Sequence, residues 1–184
     1  PSRSESTAAV PTSDCVSATS DGPFIRGPPS RRMSKLAEFL RGERLDDVAI
    51  FLTEEYLTDQ GKMPTIGDRV DNGYVLVVDG DEGRRAFQAG TGMDAMDFAG
   101  RAMDTDGEID ADLGGGVCPD RKPDENHQAD FVFAFAEAQN EGVGGIYEEG
   151  DVIHAYAHCT CGVSYSDRWV VGDRDVPEDA VDED

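Results

Sequence analysis

Residues 154–171, HAYAHCTCGVSYSDRWVV, have the pattern of two β-strands joined by a tight turn. The segments at about 152–158 and 163–171 are rich in aromatic and β-branched residues, which favour strands. Gly162 lies between them, where the chain must reverse its direction. We therefore predict a C-terminal β-hairpin.

Three further segments upstream of the hairpin are predicted strands. FVFAFAEA (131–138) is apolar on both alternating faces, which is typical of an interior strand, although a helix that continues towards residue 141 is an alternative. The apolar beginning of DDVAIFLTEEYL (46–57) and the glycine-bounded GYVLVVDG (73–80) have the length and composition of buried strands.

Three short helices accompany these strands. Ser34 is the predicted cap of the first helix, which ends near Gly42, and Asp81 is the predicted cap of the second, which extends to Ala89. Asp94 caps the third helix, which has a predicted inward face with helical spacing formed by Met96, Ala99 and Met103. Because the strands and helices do not alternate regularly, we predict an α+β fold with a small mixed sheet.

Composition divides the chain into three predicted regions. Residues 1–32 are rich in Ser, Thr, Pro and Gly, so we expect a disordered extension that lies upstream of a natural start at Met33. Residues 33–172 form the single predicted α+β domain, and residues 173–184 form an acidic, disordered tail.

The charge balance limits the partners of the protein. The chain has 39 acidic and 16 basic residues, which gives a net charge of −23, and only three of the basic residues are lysines. Such a surface repels phosphate, so direct charge attraction to nucleic acid is excluded. A lysine-poor, acidic surface also indicates adaptation to concentrated salt, because the screening length falls to about 3 Å near 1 M salt.

The chain has no apolar stretch of the length of a membrane helix, and no segment resembles a secretory signal. We therefore expect a cytoplasmic protein that does not bind membranes. In that compartment, cysteines are thiols or metal ligands rather than disulfides.

The cysteines outline a candidate metal site. Cys159 and Cys161 are two positions apart at the hairpin tip, so both thiols can face one side. Cys118 follows a run of glycines in the polar segment 104–128 and is the natural third ligand, and His127 can complete a tetrahedral zinc site. Such an ion would fix the predicted loop 104–128 onto the hairpin.

Two other uses of the thiols remain open. Cysteines are often buried as small apolar residues without a chemical role. Alternatively, Cys159 or Cys161 could act with His158 in a thiol-dependent enzyme or redox protein, although His158 is expected to point to the opposite face from its neighbour Cys159.

Two motifs that suggest other activities fail on geometry or spacing. On a strand, His154 and His158 would lie about 13 Å apart, so they cannot chelate one ion as in a zinc protease. DTDGEID (104–110) resembles a calcium loop, but the template then places Ala102 and Leu113 at two essential ligand positions. The sequence identifies no catalytic residue.

Several segments together resemble a family of small haloarchaeal proteins without an assigned activity; they are MSKLAEFL, DDVAIFLTEEYL, TGMDAMDFAGRAMDTDG, FVFAFAEAQNE and YSDRWVVG. The resemblance covers about residues 33–172 and implies an archaeal cytoplasmic setting and a start at Met33. Our hypothesis is a non-enzymatic module that contacts another protein and contains a structural zinc ion.

Overall fold

The computed structural model of the protein describes residues 34–59, 67–70 and 72–175. The predicted extension over residues 1–32, the predicted start at Met33 and residues 176–184 of the predicted tail lie outside the described residues. No helix among the described residues is both long and apolar enough to cross a bilayer.

Eight strands and five helices make up the described part of the chain. The strands are β1 (Asp47–Thr53), β2 (Asp68–Val70), β3 (Gly73–Asp79), β4 (Glu108–Ile109), β5 (Gly116–Val117), β6 (Ala129–Glu137), β7 (Val152–Cys159) and β8 (Ser164–Val170). The helices are α1 (Lys35–Leu40), α2 (Glu54–Asp59), α3 (Gly80–Thr91), α4 (Ala95–Ala102) and α5 (Ile146–Glu149).

Six strands form one sheet in the order β2-β3-β1-β6-β7-β8, and β4 and β5 form a separate two-stranded sheet. Every pair of neighbouring strands is antiparallel. The α+β class and the C-terminal hairpin β7–β8 are confirmed, whereas the sheet is antiparallel rather than mixed. The prediction of three helices missed α2 and α5, which have only six and four residues and therefore show little periodicity.

Strand β6 lies at the centre of the sheet between β1 and β7, as its apolar pattern predicted. Its side chains alternate between two cores. Val132 and Ala134 face a core formed with α1 and the segment 104–128, and we call this side the loop face. Phe131 and Phe133 face a core formed with α3 and α4, and we call this side the helix face.

The helix face is held together by aromatic contacts. The ring of Phe87 on α3 lies 5.4 Å from Phe98 on α4, 5.6 Å from Phe131 and 5.3 Å from Phe133, measured between centroids. Contacts of this kind add about 0.5–1.5 kcal/mol each to the stabilisation from buried area. They fix how α3 and α4 are rotated against the sheet.

Helix α4 packs through a different face from the predicted one. Asp94 caps it as expected, accepting hydrogen bonds from the backbone N–H of Met96 and Asp97. Ala99 is buried, but Met96 and Met103 are 52% and 60% exposed. The prediction was wrong for both methionines because two stripes have helical spacing, and docking of Phe98 into the aromatic cluster selects the other one.

The caps of the other helices were predicted with mixed success. Ser34 Oγ accepts a hydrogen bond from Ala37 N and caps α1 as predicted, and Gly42 follows the helix with a left-handed φ of 74°. Helix α3 is capped by Asp79 rather than by Asp81, since the Asp79 carboxylate accepts a hydrogen bond from Asp81 N.

The segment 104–128 is more ordered than the predicted loop, because it contributes β4, β5 and three buried side chains, Ile109, Leu113 and Cys118. Asp167 on β8 accepts a hydrogen bond from Ile109 N, and Arg174 donates to Ile109 O and pairs with Asp167. Backbone bonds from Ser166 N to Thr105 O and from Gly107 N to Ser166 O continue this attachment. These contacts hold the segment against β8.

Two glycines of α3 test how closely this helix packs on β1. A Cβ atom at Gly83 would clash with Cγ2 of Val48, whereas a Cβ at Gly90 would only reach ordinary contact with Leu52 at 3.8 Å. Replacing helical glycine by alanine normally stabilises by about 1 kcal/mol. We expect Gly90→Ala to show that gain and Gly83→Ala to destabilise by about 1–3 kcal/mol through overpacking. Urea unfolding of both variants measures the difference, and equal midpoints would contradict the packing.

Candidate metal centre

The hairpin tip places two cysteines close together. Cys159 is the last residue of β7, and its N–H donates to Val163 O while its carbonyl accepts from Gly162 N. Gly162 adopts a φ of 93°, which closes the turn. Cys161 therefore lies within the turn, beside the strand end that carries Cys159.

The second half of the site comes from the segment before β6. Thr160 attaches this segment to the turn, because its N–H donates to Gln128 O at 2.9 Å and its hydroxyl donates to Asn126 O at 2.9 Å. These two bonds hold His127 beside the hairpin. Cys118 follows directly after β5 and is buried on the loop face.

The four predicted ligands converge. One ligand atom from each of Cys118, His127, Cys159 and Cys161 lies within 4.8 Å of the other three. Cys118 Sγ is 3.8 Å from Cys161 Sγ, and Cys159 Sγ is 3.7 Å from His127 Nδ1. Bond lengths to tetrahedral zinc imply edges of about 3.8 Å between sulfurs and about 3.6 Å between sulfur and nitrogen. These two distances therefore match the edges of a tetrahedral site.

The surroundings of the four residues differ in exposure. Cys118 and Cys159 are buried, and the side chain of His127 is only 1% exposed. Cys161 is exposed on the turn. An ion at the centre would thus be shielded on three sides and approached past Cys161.

His127 is oriented as metal-binding histidines are. Its Nδ1 faces Cys159, and its Nε2 lies 3.2 Å from Glu125 Oε2 and 3.4 Å from Lys122 N. With a metal on Nδ1, Nε2 carries the proton and donates to the Glu125 carboxylate, which is the usual outer contact of such a histidine, and the long hydrogen bond that the Lys122 N–H donates to Nε2 is then lost. The sequence analysis missed Glu125 because carboxylates are abundant in this chain and spacing alone does not distinguish this one.

The pKa values of Cys118 and Cys161 are shifted in opposite directions. Burial, together with the neighbouring thiols, raises the pKa of Cys118 to about 12. The pKa of Cys161 is lowered, chiefly by a hydrogen bond from the Val163 backbone. Without a cation, Cys118 is therefore a neutral thiol at pH 7, whereas a bound metal ion would favour its thiolate.

The hydroxyl of Tyr165 is a buried hydrogen-bond donor without an acceptor among the described residues. Its side chain is fully buried on the loop face, and its hydroxyl has no hydrogen-bond partner among the described residues. Burial raises its pKa, and proximity to Cys159 and Cys118 adds to the rise, so the hydroxyl keeps its proton. A thiolate of a metal-bound cluster is the type of acceptor that this buried hydroxyl lacks.

His158 lies apart from the thiols, on the helix face. Its ring stacks on Phe131 at 5.0 Å, and its Nδ1 lies 3.0 Å from Ser164 Oγ. The pairing of His158 with Cys159 or Cys161 that the enzymatic alternative required is therefore not formed. His154 and His158 both lie on strand β7, in agreement with the prediction that they do not chelate one ion.

The chain belongs to a family of unknown function, DUF5807, whose sequence model matches residues 67–172, more than half of the 184 residues. The matched range contains all four candidate ligands and begins later than the predicted range of 33–172. Comparison with curated proteins and with solved structures gave no match. The expected membership of a family without an assigned activity is confirmed, whereas a haloarchaeal origin stays a prediction.

The metal-free protein should show strongly unequal thiol reactivity. At pH 7.5 iodoacetamide should modify Cys161 first, since it is exposed and its pKa is lowered, while Cys118 should react only at much higher pH. Peptide mass spectrometry over time measures both rates in one sample. Equal rates at Cys118 and Cys161 would contradict the described burial.

Proposed function

We propose that Cys118, His127, Cys159 and Cys161 bind one zinc ion and that this ion has a structural role. The observation that carries the proposal is the convergence of four donor atoms within 4.8 Å. The residues come from two regions of the chain, 118–127 and 159–161, which are more than 30 positions apart. Local chain geometry alone therefore does not explain why they converge.

The chemistry of the donors favours zinc. Three thiolates and one imidazole form a set that zinc binds tetrahedrally in many structural sites. The set contains no oxygen ligand, which argues against calcium and magnesium. The Glu125 contact to His127 supports the same assignment.

The number of ligands favours a structural rather than a catalytic ion. Catalytic zinc keeps one position for water or substrate, whereas four protein ligands complete the tetrahedron. The ion would join the segment 104–128 to the hairpin, so its binding free energy would contribute to folding. This connection would add stability here, because ordering a long, glycine-rich segment costs much conformational entropy.

The second candidate is a reactive thiol at Cys161. Its exposure and lowered pKa favour this reading. The residues that pair with it in space are Cys118 and Cys159, so the chemistry would be redox rather than base-assisted, and Cys118 Sγ lies 3.8 Å away. In the zinc-bound protein the same thiol would be a metal ligand and would therefore be protected from oxidation and alkylation.

For the wider role we propose a non-enzymatic module that contacts another protein in a salt-rich cytoplasm. The net charge of −23 supports this setting, because like charges are tolerated where salt screens them. The charge also argues against nucleic acid as the partner.

Protein purified without chelators should contain about one zinc per chain, and Cys118→Ser should remove most of it. The variant should also unfold at a temperature at least about 5 °C lower, since it loses metal-linked stability. Elemental analysis and circular dichroism give the two readouts. X-ray absorption should show three sulfurs at about 2.3 Å and one nitrogen at about 2.0 Å.

Cys15→Ser is the matched control, because it removes the cysteine of this chain that is not one of the four proposed ligands. It should keep both the zinc and the melting temperature. Wild-type protein that contains no metal when it is purified without chelators, and that melts at the same temperature as Cys118→Ser, would overturn the structural role. Rapid alkylation of Cys161 in that protein would favour the redox candidate.

Adaptation to salt gives a separate expectation. Dialysis from molar KCl to about 50 mM should unfold part of the domain, since a longer screening length restores repulsion among the carboxylates. Circular dichroism of the zinc-loaded protein follows the change, and sodium sulfate added back should restore the signal. Full ellipticity at low salt would contradict the salt adaptation.

A further inference from the structure

A second site candidate lies on the helix face, on the opposite side of the sheet from the cysteine cluster. It is a cleft of about 770 Å³ between α4 and strands β6, β7 and β8. Small residues on α4, Ala99 and Gly100, line it and leave room, and the exposed Met96 and Met103 border it. Its size is within the range of about 300–1,000 Å³ found for small-molecule sites.

A row of aromatic rings forms the wall of the cleft on the sheet side. The ring of His154 lies 4.9 Å from that of Phe135 and 5.9 Å from that of Tyr147, and Tyr156 lies 5.9 Å from Phe135. The methionines face this row from α4. Methionine side chains are flexible and polarisable, so they adapt to apolar ligands of different shape.

Most charged groups in the cleft have partners. The carboxylate of Glu137 lies 3.0 Å from His154 Nε2, and that of Asp167 pairs with Arg174 at 2.8 Å. Burial lowers the pKa of His154, so this ring is neutral at pH 7. Because His154 is neutral, Glu137 keeps its negative charge, but its carboxylate is hydrogen-bonded to this ring. The charged side chains of the cleft that have no partner among the described residues belong to two other residues, Asp106 and Arg168.

Asp106 and Arg168 both lie close to Ser166. Arg168 is two residues further along β8, and Asp106 is bridged to Ser166 from the neighbouring segment. Among the described residues, neither side chain forms an ion pair, with the other or with a third residue. Both side chains are exposed, so the two opposite charges are accessible to a ligand.

We propose that this cleft binds a small zwitterion of the α-amino-acid type with an apolar side chain. Its carboxylate pairs with Arg168 and its ammonium group with Asp106, while the apolar side chain lies between the methionines and the aromatic row. Tyr156 also lines the cleft, and its hydroxyl, whose pKa is raised chiefly by burial, is a further donor for the carboxylate.

The two charges in the cleft favour a zwitterion over a simple ion. A plain carboxylate would leave Asp106 without a partner, and a plain amine would leave Arg168 without a partner. A zwitterion is neutral overall and satisfies both groups. Since the ammonium and carboxylate groups of an amino acid are attached to one carbon, the head group can bridge two side chains that do not touch.

Titration of the full-length protein with L-phenylalanine, monitored by calorimetry in molar KCl, tests the proposal. Two analogues separate the contributions: 3-phenylpropanoate lacks the ammonium group and 2-phenylethylamine lacks the carboxylate. We expect saturable binding of L-phenylalanine and at least about ten-fold weaker binding of each analogue. Comparable binding of either analogue, or no saturation with L-phenylalanine, L-leucine or L-methionine, would overturn the proposal.

Two variants locate the binding. Arg168→Gln should weaken L-phenylalanine at least about ten-fold and remove its advantage over 2-phenylethylamine. Arg101→Gln is the matched control, because Arg101 is an exposed arginine of α4 that does not line the cleft. Gly100→Leu should block the cleft without disturbing the fold, since a Cβ there meets no atom within 4 Å. Unchanged binding in both Arg168→Gln and Gly100→Leu would place the ligand elsewhere and refute the site.

Discussion

The pairing of β7 with β8 and β6 is the constraint on which the rest of the structure depends. Side chains of a strand alternate between its two faces, so the register of these three strands decides which residues meet on each side. Cys159 and Tyr165 point to the loop face, and Tyr156 and His154 point to the helix face. A slip by one residue would exchange the two sets and would destroy the cysteine cluster and the cleft together.

Each face is then completed by a different kind of contact. On the helix face, packing among phenylalanine rings sets the rotation of α4 and thereby leaves the cleft open beside it. On the loop face, polar contacts of Asp167 and Arg174 with Ile109 hold the segment 104–128 against β8. This segment has few large apolar residues, so burial alone stabilises it little. A metal ion bound by Cys118 and His127 would add to its stability.

Burial keeps one titratable side chain neutral in each of the two sites, and the consequence for binding differs between the sites. Burial makes the Cys118 thiol hard to ionise, and a zinc ion is what would convert it into a good ligand. In the cleft, burial keeps His154 neutral while its ring hydrogen-bonds to Glu137, and Arg168 and Asp106 are the charged groups without a partner among the described residues. A strongly acidic protein thus presents one site suited to a metal cation and one suited to a molecule with no net charge.

The sequence by itself determined the features that depend on short stretches of chain. Alternating apolar residues identified β6 and the hairpin, Ser34 and Asp94 identified two helix starts, and the soft donors Cys118, His127, Cys159 and Cys161 identified the cluster. Only the tertiary structure decided the buried face of α4, the contact of Glu125 with His127, and the pairing of Asp106 with Ser166 on β8. The physical reason is that periodicity and capping act within a few residues, whereas helix rotation and the unpaired charges of a cleft result from packing between elements that are distant along the chain.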